Sequence, residues 1–296
     1  MNNNVYILED RALLYITGED APSFLQNLIT NDINKVTENK SCFASLLTPQ
    51  GKFLYEFFVI KHKIGYFIDC EKSQAENLFK QLNVYKIRSK IDILNLSNEF
   101  VVVSFDKNKF LSLDEAKEEP GNTIKFREDP IFLDPRNSEL GARLIINLEK
   151  LYLSLKKLGL KNDNIEKYYE KSFILGIIPK NLNDLQNKLF GIECNLEELN
   201  AIDFKKGCYV GQENTARIKL KDKLSKRLLP LKVIDGNIEK DEAIFHNEKE
   251  IGKILINDQK YPFGLIKFKE ADFKSNLKFK TKKSIIEINL PKWIKI

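Results

Sequence analysis

The chain has 296 residues, 43% of them hydrophobic and 30% charged, with a net charge of +6, which excludes fibrous and disordered classes and leaves a soluble globular protein of two or three modules. No apolar run approaches the roughly 18–20 residues that a bilayer crossing needs, so no membrane partner is expected. The start, Met1 to Val5, lacks a basic segment followed by an apolar one, and a cytoplasmic location is expected. The modest positive excess comes mostly from lysine. No RNP-like strand, zinc finger or helix-turn-helix pattern accompanies it, so no direct nucleic-acid partner is expected.

In chain order, Arg11–Thr17 reads as a strand ending at Gly18, and Pro22 opens a helix carrying Phe24, Leu25, Leu28 and Ile29 at helical spacing. Strand-like runs follow at Cys42–Leu47, Phe53–Ile60 and Tyr66–Cys70, the first two separated by the turn at Pro49, Gln50 and Gly51. Residues 72–82 read as a helix and Ile87–Leu94 as a strand. A second stretch opens at Phe100 and holds a turn-rich insert at 118–121, strands near Ile131 and Leu144, and helices at about 149–158 and 163–174. Short strands alternating with single helices predict an α+β class with helices on one face of each sheet. From Leu228 onward, strand-like runs at Leu228–Ile234, Ile251–Ile256, Tyr261–Phe268 and Ile285–Leu290, punctuated by turns, predict a small antiparallel barrel or sandwich.

Of four cysteines, Cys42, Cys70, Cys194 and Cys208, no two form C-x-x-C and no histidine neighbours one, so neither a zinc site nor a disulfide framework is expected. Cys42 and Cys70 lie in apolar runs, as core residues do. Cys208 differs. It stands in the run 205–214, with Lys205 and Lys206 before it, Gly207 and Gly211 around it, and Gln212 and Glu213 after it. Lys206 is close enough in sequence to favour the Cys208 thiolate if the side chains converge. The two glycines suit a backbone path that a Cβ would resist. Glu193 and Asn195, two apart, share one face if the segment is extended; together they suit the edge of a heterocycle, or else a turn or helix cap. Arg217 suits a carboxylate, or an ion pair with Glu213 one helical turn earlier. The polar run from Gln26 and Asn27 to Asp32 either caps the preceding helix or lines a pocket. Glu56, in an otherwise apolar strand, either faces solvent or needs a partner.

Residues 204–213 with Thr215, Ala216 and Arg217 resemble the signature of the YgfZ-type folate-binding proteins, a group that includes mitochondrial iron–sulfur assembly factors. Residues 24–32, 46–52, 176–179, 193–196 and 227–231 resemble further segments of that family in the same order. The resemblance implies a fold like the aminomethyltransferase (T-protein) of glycine cleavage: two ferredoxin-like antiparallel α+β modules and a C-terminal β-barrel around a central opening. The implied modules are 1–97, 98–225 (interwoven with the first) and 226–296. It further implies tetrahydrofolate as cofactor, iron–sulfur client or assembly proteins as partners, and support of enzymes such as tRNA-modifying methylthiotransferases. The alternative is a folate-dependent one-carbon transferase. On this reading Cys208 and Lys206 are the reactive pair. Glu193 and Asn195 meet the pterin edge, Arg217 the glutamate tail, and Asn27, Glu56 and Gln212 complete the cofactor set. Two positions depart from the family. Glu56 stands where aminomethyltransferases have an aspartate, and Ser172 where many relatives have an arginine.

Overall fold

The computed structural model describes residues 3–220, 224–268, 270, 271, 273 and 278–294. In chain order its elements begin with strands β1 (Asn4–Ile7) and β2 (Arg11–Thr17), helix α1 (Ala21–Leu28), strands β3 (Cys42–Leu47), β4 (Phe53–His62) and β5 (Gly65–Glu71), helix α2 (Lys72–Lys86) and strand β6 (Asp92–Asn95). Then come β7 (Phe100–Phe105), α3 (Lys107–Leu111), β8 (Thr123–Phe126), β9 (Asp129–Leu133), β10 (Ala142–Asn147), α4 (Leu151–Lys157), β11 (Lys161–Asn162), α5 (Glu166–Ile174) and α6 (Gln212–Leu220). Six strands end the chain: β12 (Lys226–Gly236), β13 (Ala243–His246), β14 (Lys249–Ile256), β15 (Phe263–Lys267), β16 (Lys278–Lys280) and β17 (Ser284–Ile288).

Two sheets and a closed barrel result. The first sheet has the order β3-β4-β5-β2-β6, the second β11-β1-β7-β10-β9-β8, and the barrel β12-β15-β14-β13-β16-β17. All described pairings are antiparallel except β1 with β11. The first strand of the chain therefore lies in the second sheet, and the Leu8 N–H continues it by donating to Val102 O. Each sheet buries both faces. One face of the first packs on α1 and α2 through Phe24, Leu25, Leu78 and Leu82; one face of the second packs on α3 and α4 through Phe110, Leu151 and Leu155. The remaining faces meet each other. Phe43, Phe58 and Phe67 of the first sheet pack with Val102, Phe132 and Ile145 of the second, and the Phe58 and Phe132 rings lie 5.7 Å apart. This double burial explains why β3 and β5 are buried along their whole length and read as mostly apolar runs instead of alternating ones.

Several boundaries differ from the sequence reading. The helix expected at 72–82 runs on to Lys86, and the strand expected from Ile87 begins only at Asp92. Ile87 ends the helix with φ +32, outside any strand conformation. Strands β1, β8, β11, β13 and β16 have five residues or fewer, too few for periodicity to register.

Candidate functional site

Helix α1 ends without donors for its last carbonyls, as every helix does. Here Lys206 supplies one for Gln26 and binds two further carbonyls just beyond the helix. Its Nζ donates to the carbonyl oxygens of Gln26 at 2.7 Å, Ile29 at 2.6 Å and Asn31 at 2.9 Å. Three acceptors match the three N–H groups of an ammonium, and a cation at a helix C-terminus is also favoured by the helix dipole. The side chain is only 7% exposed, and burial pushes its ammonium down to about 8. The Val210 N–H donates to Asn27 O, and the Asp203 N–H to Thr30 O, so the loop is tied to the end of α1 on both sides of Lys206.

A second pin lies at Gly211, with φ +82. A Cβ there would stand 2.4 Å from Thr48 O, because the 48–51 turn packs directly on it. Asn214 Nδ2 donates to Gln50 O at 2.8 Å, fixing the start of α6 to the same turn. Between the pins, Tyr209 is buried beneath the Lys206 ammonium, 5.0 Å from its ring centroid. Gly207 and Cys208 are left exposed. Gly207 needs no special backbone, and a Cβ on it would meet nothing within 4 Å, so the expected steric demand falls on Gly211 alone. The other three cysteines are buried. Burial pushes the Cys42 and Cys70 thiols up to about 12 and Cys194 well above its ordinary value. Cys208 is the one exposed thiol of the four.

The expected pairing of Lys206 with Cys208 takes a different form. The Lys206 ammonium is bound to carbonyls at and just beyond the end of α1, and the charged groups that act on it are Asp32 and Asp203, together with the Cys42 thiol. It braces the loop from inside while Cys208 faces out. The segment holding Glu193 and Asn195 is not extended. Residues Gly191–Cys194 form a 3-10 turn that Glu193 closes by accepting from the Phe190 N–H at 2.9 Å. Asn195 follows in the left-handed region at φ +61, buried, donating to Leu228 O at 2.7 Å and accepting from Arg227 Nη1 at 3.2 Å. The two side chains therefore do not share a face: one caps a turn and the other fastens that turn to the barrel. Arg217 is exposed on α6 and makes no ion pair among the described residues; Gln212 is half-buried at the start of the same helix. Asn27 is exposed and lines a shallow cavity between α1 and residues 85–89.

Glu56 is buried on the face of β4 that looks toward the second sheet. Burial raises its pKa to about 7, against the pull of Arg136 and Arg11. It belongs to an ionic layer between the sheets. Asp69 of β5 accepts from Arg11 Nε at 2.6 Å and from Arg143 Nη1 of β10 at 2.8 Å. Arg143 Nη2 donates to Tyr168 Oη at 2.7 Å, and its Nε lies 3.4 Å from Asp134. Arg136 forms a two-pronged pair with Asp134 at 3.1 and 2.9 Å. Burial alone would raise the Asp134 carboxyl, but Arg136 and Arg143 outweigh it and hold it below the usual range. The Arg143 and Arg136 guanidinium carbons stand 4.2 and 4.7 Å from the Phe58 ring centroid. The space left among Asp10, Arg11, Arg136, Arg143 and Ser172 is about 10 Å³, which takes one water at most. Sequence reasoning missed this layer. Its signal was present: single charges at Arg11, Asp69 and Arg143 within or beside apolar strands, each needing a partner once buried.

No protein-family model matches the chain. Its fold is that of an aminomethyltransferase. The glycine cleavage system aminomethyltransferase T from Bartonella henselae superposes with a TM-score of 0.75 over 98% of this chain and 86% of that one, at 14% identity, a likeness of fold alone. In sequence the chain is similar to iron-sulfur cluster assembly factor IBA57 homologs, mitochondrial: 30% identical over 236 residues to that of Neurospora crassa (75% of this chain, 52% of that protein) and 27% over 274 residues to that of Dictyostelium discoideum (82% and 66%). The chain thus spans between half and two thirds of the length of these relatives. They are mitochondrial by name, which overturns the cytoplasmic location expected from the N-terminus.

Proposed function

We propose that this protein is an accessory factor for iron–sulfur cluster assembly that offers Cys208 to a partner during cluster transfer. The observation that carries the reading is the loop itself: Lys206 and Gly211 hold it at both ends, and the thiol between them is the exposed one of four. The similarity to assembly factors supports the same role. Clusters generally require about four thiolates, so one cysteine takes part only by sharing the cluster with a partner. Client enzymes such as tRNA-modifying methylthiotransferases fit this role as recipients.

Tetrahydrofolate, the ligand that the resemblance implies, does not fit between the two sheets, among Asp10, Arg11, Arg136 and Arg143. A pocket for a ligand of that size has several hundred cubic ångströms, against about 10 Å³ here. Opening it would break the Arg143–Asp69 pair that bridges the two sheets. A one-carbon transferase would need the same space, and nothing in the geometry favours it. Accordingly no step of the proposed role passes through folate. Saturable tetrahydrofolate binding below about 1 mM, a threshold of roughly 4 kcal/mol, would overturn that exclusion.

The role is tested by complementation in cells lacking their own counterpart, with an iron–sulfur enzyme as readout. Wild type restores the enzyme and Cys208→Ser, equally folded and expressed, does not. Full restoration by Cys208→Ser would refute the role given to the thiol.

A further inference from the structure

A groove of about 520 Å³ adjoins the motif loop and is used by nothing described above. Its lining comes from four places in the chain: residues 31–43, Pro120, Pro135, and residues 200–205, which lead straight into Lys206 and Cys208. Three lysines line it, Lys35, Lys40 and Lys205, against one carboxylate, Asp203. That carboxylate is already matched, since it pairs with Lys35 and accepts from the Lys205 N–H. Lys40 and Lys205 are exposed and make no ion pair among the described residues. Beside them Phe204 is 40% exposed, an aromatic ring open to solvent within a cationic lining.

We propose that this groove docks an acidic, extended segment of a partner protein and so delivers that partner to Cys208, three residues beyond Lys205 on the same loop. Only the identity of the partner rests on the assembly reading. Charge complementarity selects the occupant: two unmatched lysines favour carboxylates, and unscreened surface charges of one sign speed encounter and set orientation. The exposed ring accepts an apolar side chain within the acidic stretch. A small-molecule site would bury most of its ligand, whereas Lys40, Pro120, Phe204 and Lys205 all stand exposed. An RNA site would need stacking platforms and a longer track of phosphate contacts than two lysines provide.

The test is fluorescence anisotropy of a labelled hexaglutamate peptide with the full chain at low salt. Saturable binding is expected, weakened roughly tenfold or more in Lys40→Glu/Lys205→Glu. It should stay within about twofold of wild type in Lys63→Glu/Lys157→Glu, which changes the net charge equally at exposed positions outside the groove lining. Circular dichroism confirms that both variants are folded. Cys208→Ser binds the peptide as wild type does, so docking and the role of the thiol stand or fall separately. Three results would overturn the proposal: no saturable binding, equal weakening by the control reversals, or displacement of the peptide by a lower concentration of single-stranded RNA of the same charge.

Discussion

The ionic layer between the sheets and the Lys206–Gly211 loop handle buried charge in opposite ways. In the layer, each guanidinium faces a carboxylate, the Arg143–Asp69 pair links one sheet to the other, and what remains is room for a single water. In the loop, the buried cation donates to three backbone carbonyls above the Tyr209 ring, and two residues further on the chain is exposed. A layer of largely matched charges sets the register of two modules and leaves little room for a ligand. A cation spent on carbonyls anchors a loop and leaves its tip free. Both rest on buried charge, but only the second keeps a reactive group in reach of a partner.

The largest expected effect lies in the layer. Arg143→Ala deprives Asp69 and Asp134 of a shared partner inside the core, and urea unfolding should show a loss of about 3–5 kcal/mol; a loss below about 1 kcal/mol would mean that the layer does not tie the sheets together. Next is Glu56, whose folded pKa of about 7 lies above its ordinary 4.5. A raised carboxyl pKa means that the folded state binds the extra proton, so this group's contribution is complete below about pH 4.5 and is lost as pH rises through about 7. Glu56→Gln should therefore be more stable than wild type above pH 7 by about 3 kcal/mol at most, with the difference fading toward pH 4.5. A gap independent of pH would contradict this assignment. The loop predicts a smaller, paired result. Gly211→Ala meets both a left-handed φ and Thr48 O, and should cost about 2 kcal/mol, whereas Gly207→Ala should fall within about 0.5 kcal/mol of wild type. Equal costs at the two glycines would remove the distinction between the pin and the tip.

Legibility followed chain distance. The long apolar runs of β3, β4 and β5 announced themselves, as did α1 with its proline and apolar spacing, because each signal lies within one segment. The motif around Cys208 was equally visible, since glycines, lysines and a lone thiol fall within ten residues. What Lys206 does was not: its acceptors lie about 175 residues away, and neighbourhood in sequence suggested Cys208 instead. The same holds for Glu193 and Asn195, whose spacing of two fits a strand, while the bonds to Phe190 and Leu228 hold them on a 3-10 turn. The ionic layer draws Arg11, Asp69 and Arg143 from three strands, and no single stretch of sequence contains a pair of them that bond.

The central claim is that bracing from within leaves the Cys208 thiol bare, and counting reactive thiols in the native chain tests it most directly. With a disulfide reagent under native conditions, followed by mass mapping, one of the four thiols should react rapidly and it should be Cys208, with the rest reacting only after unfolding. Rapid labelling of Cys42, Cys70 or Cys194, or protection of Cys208 in the folded protein, would contradict it.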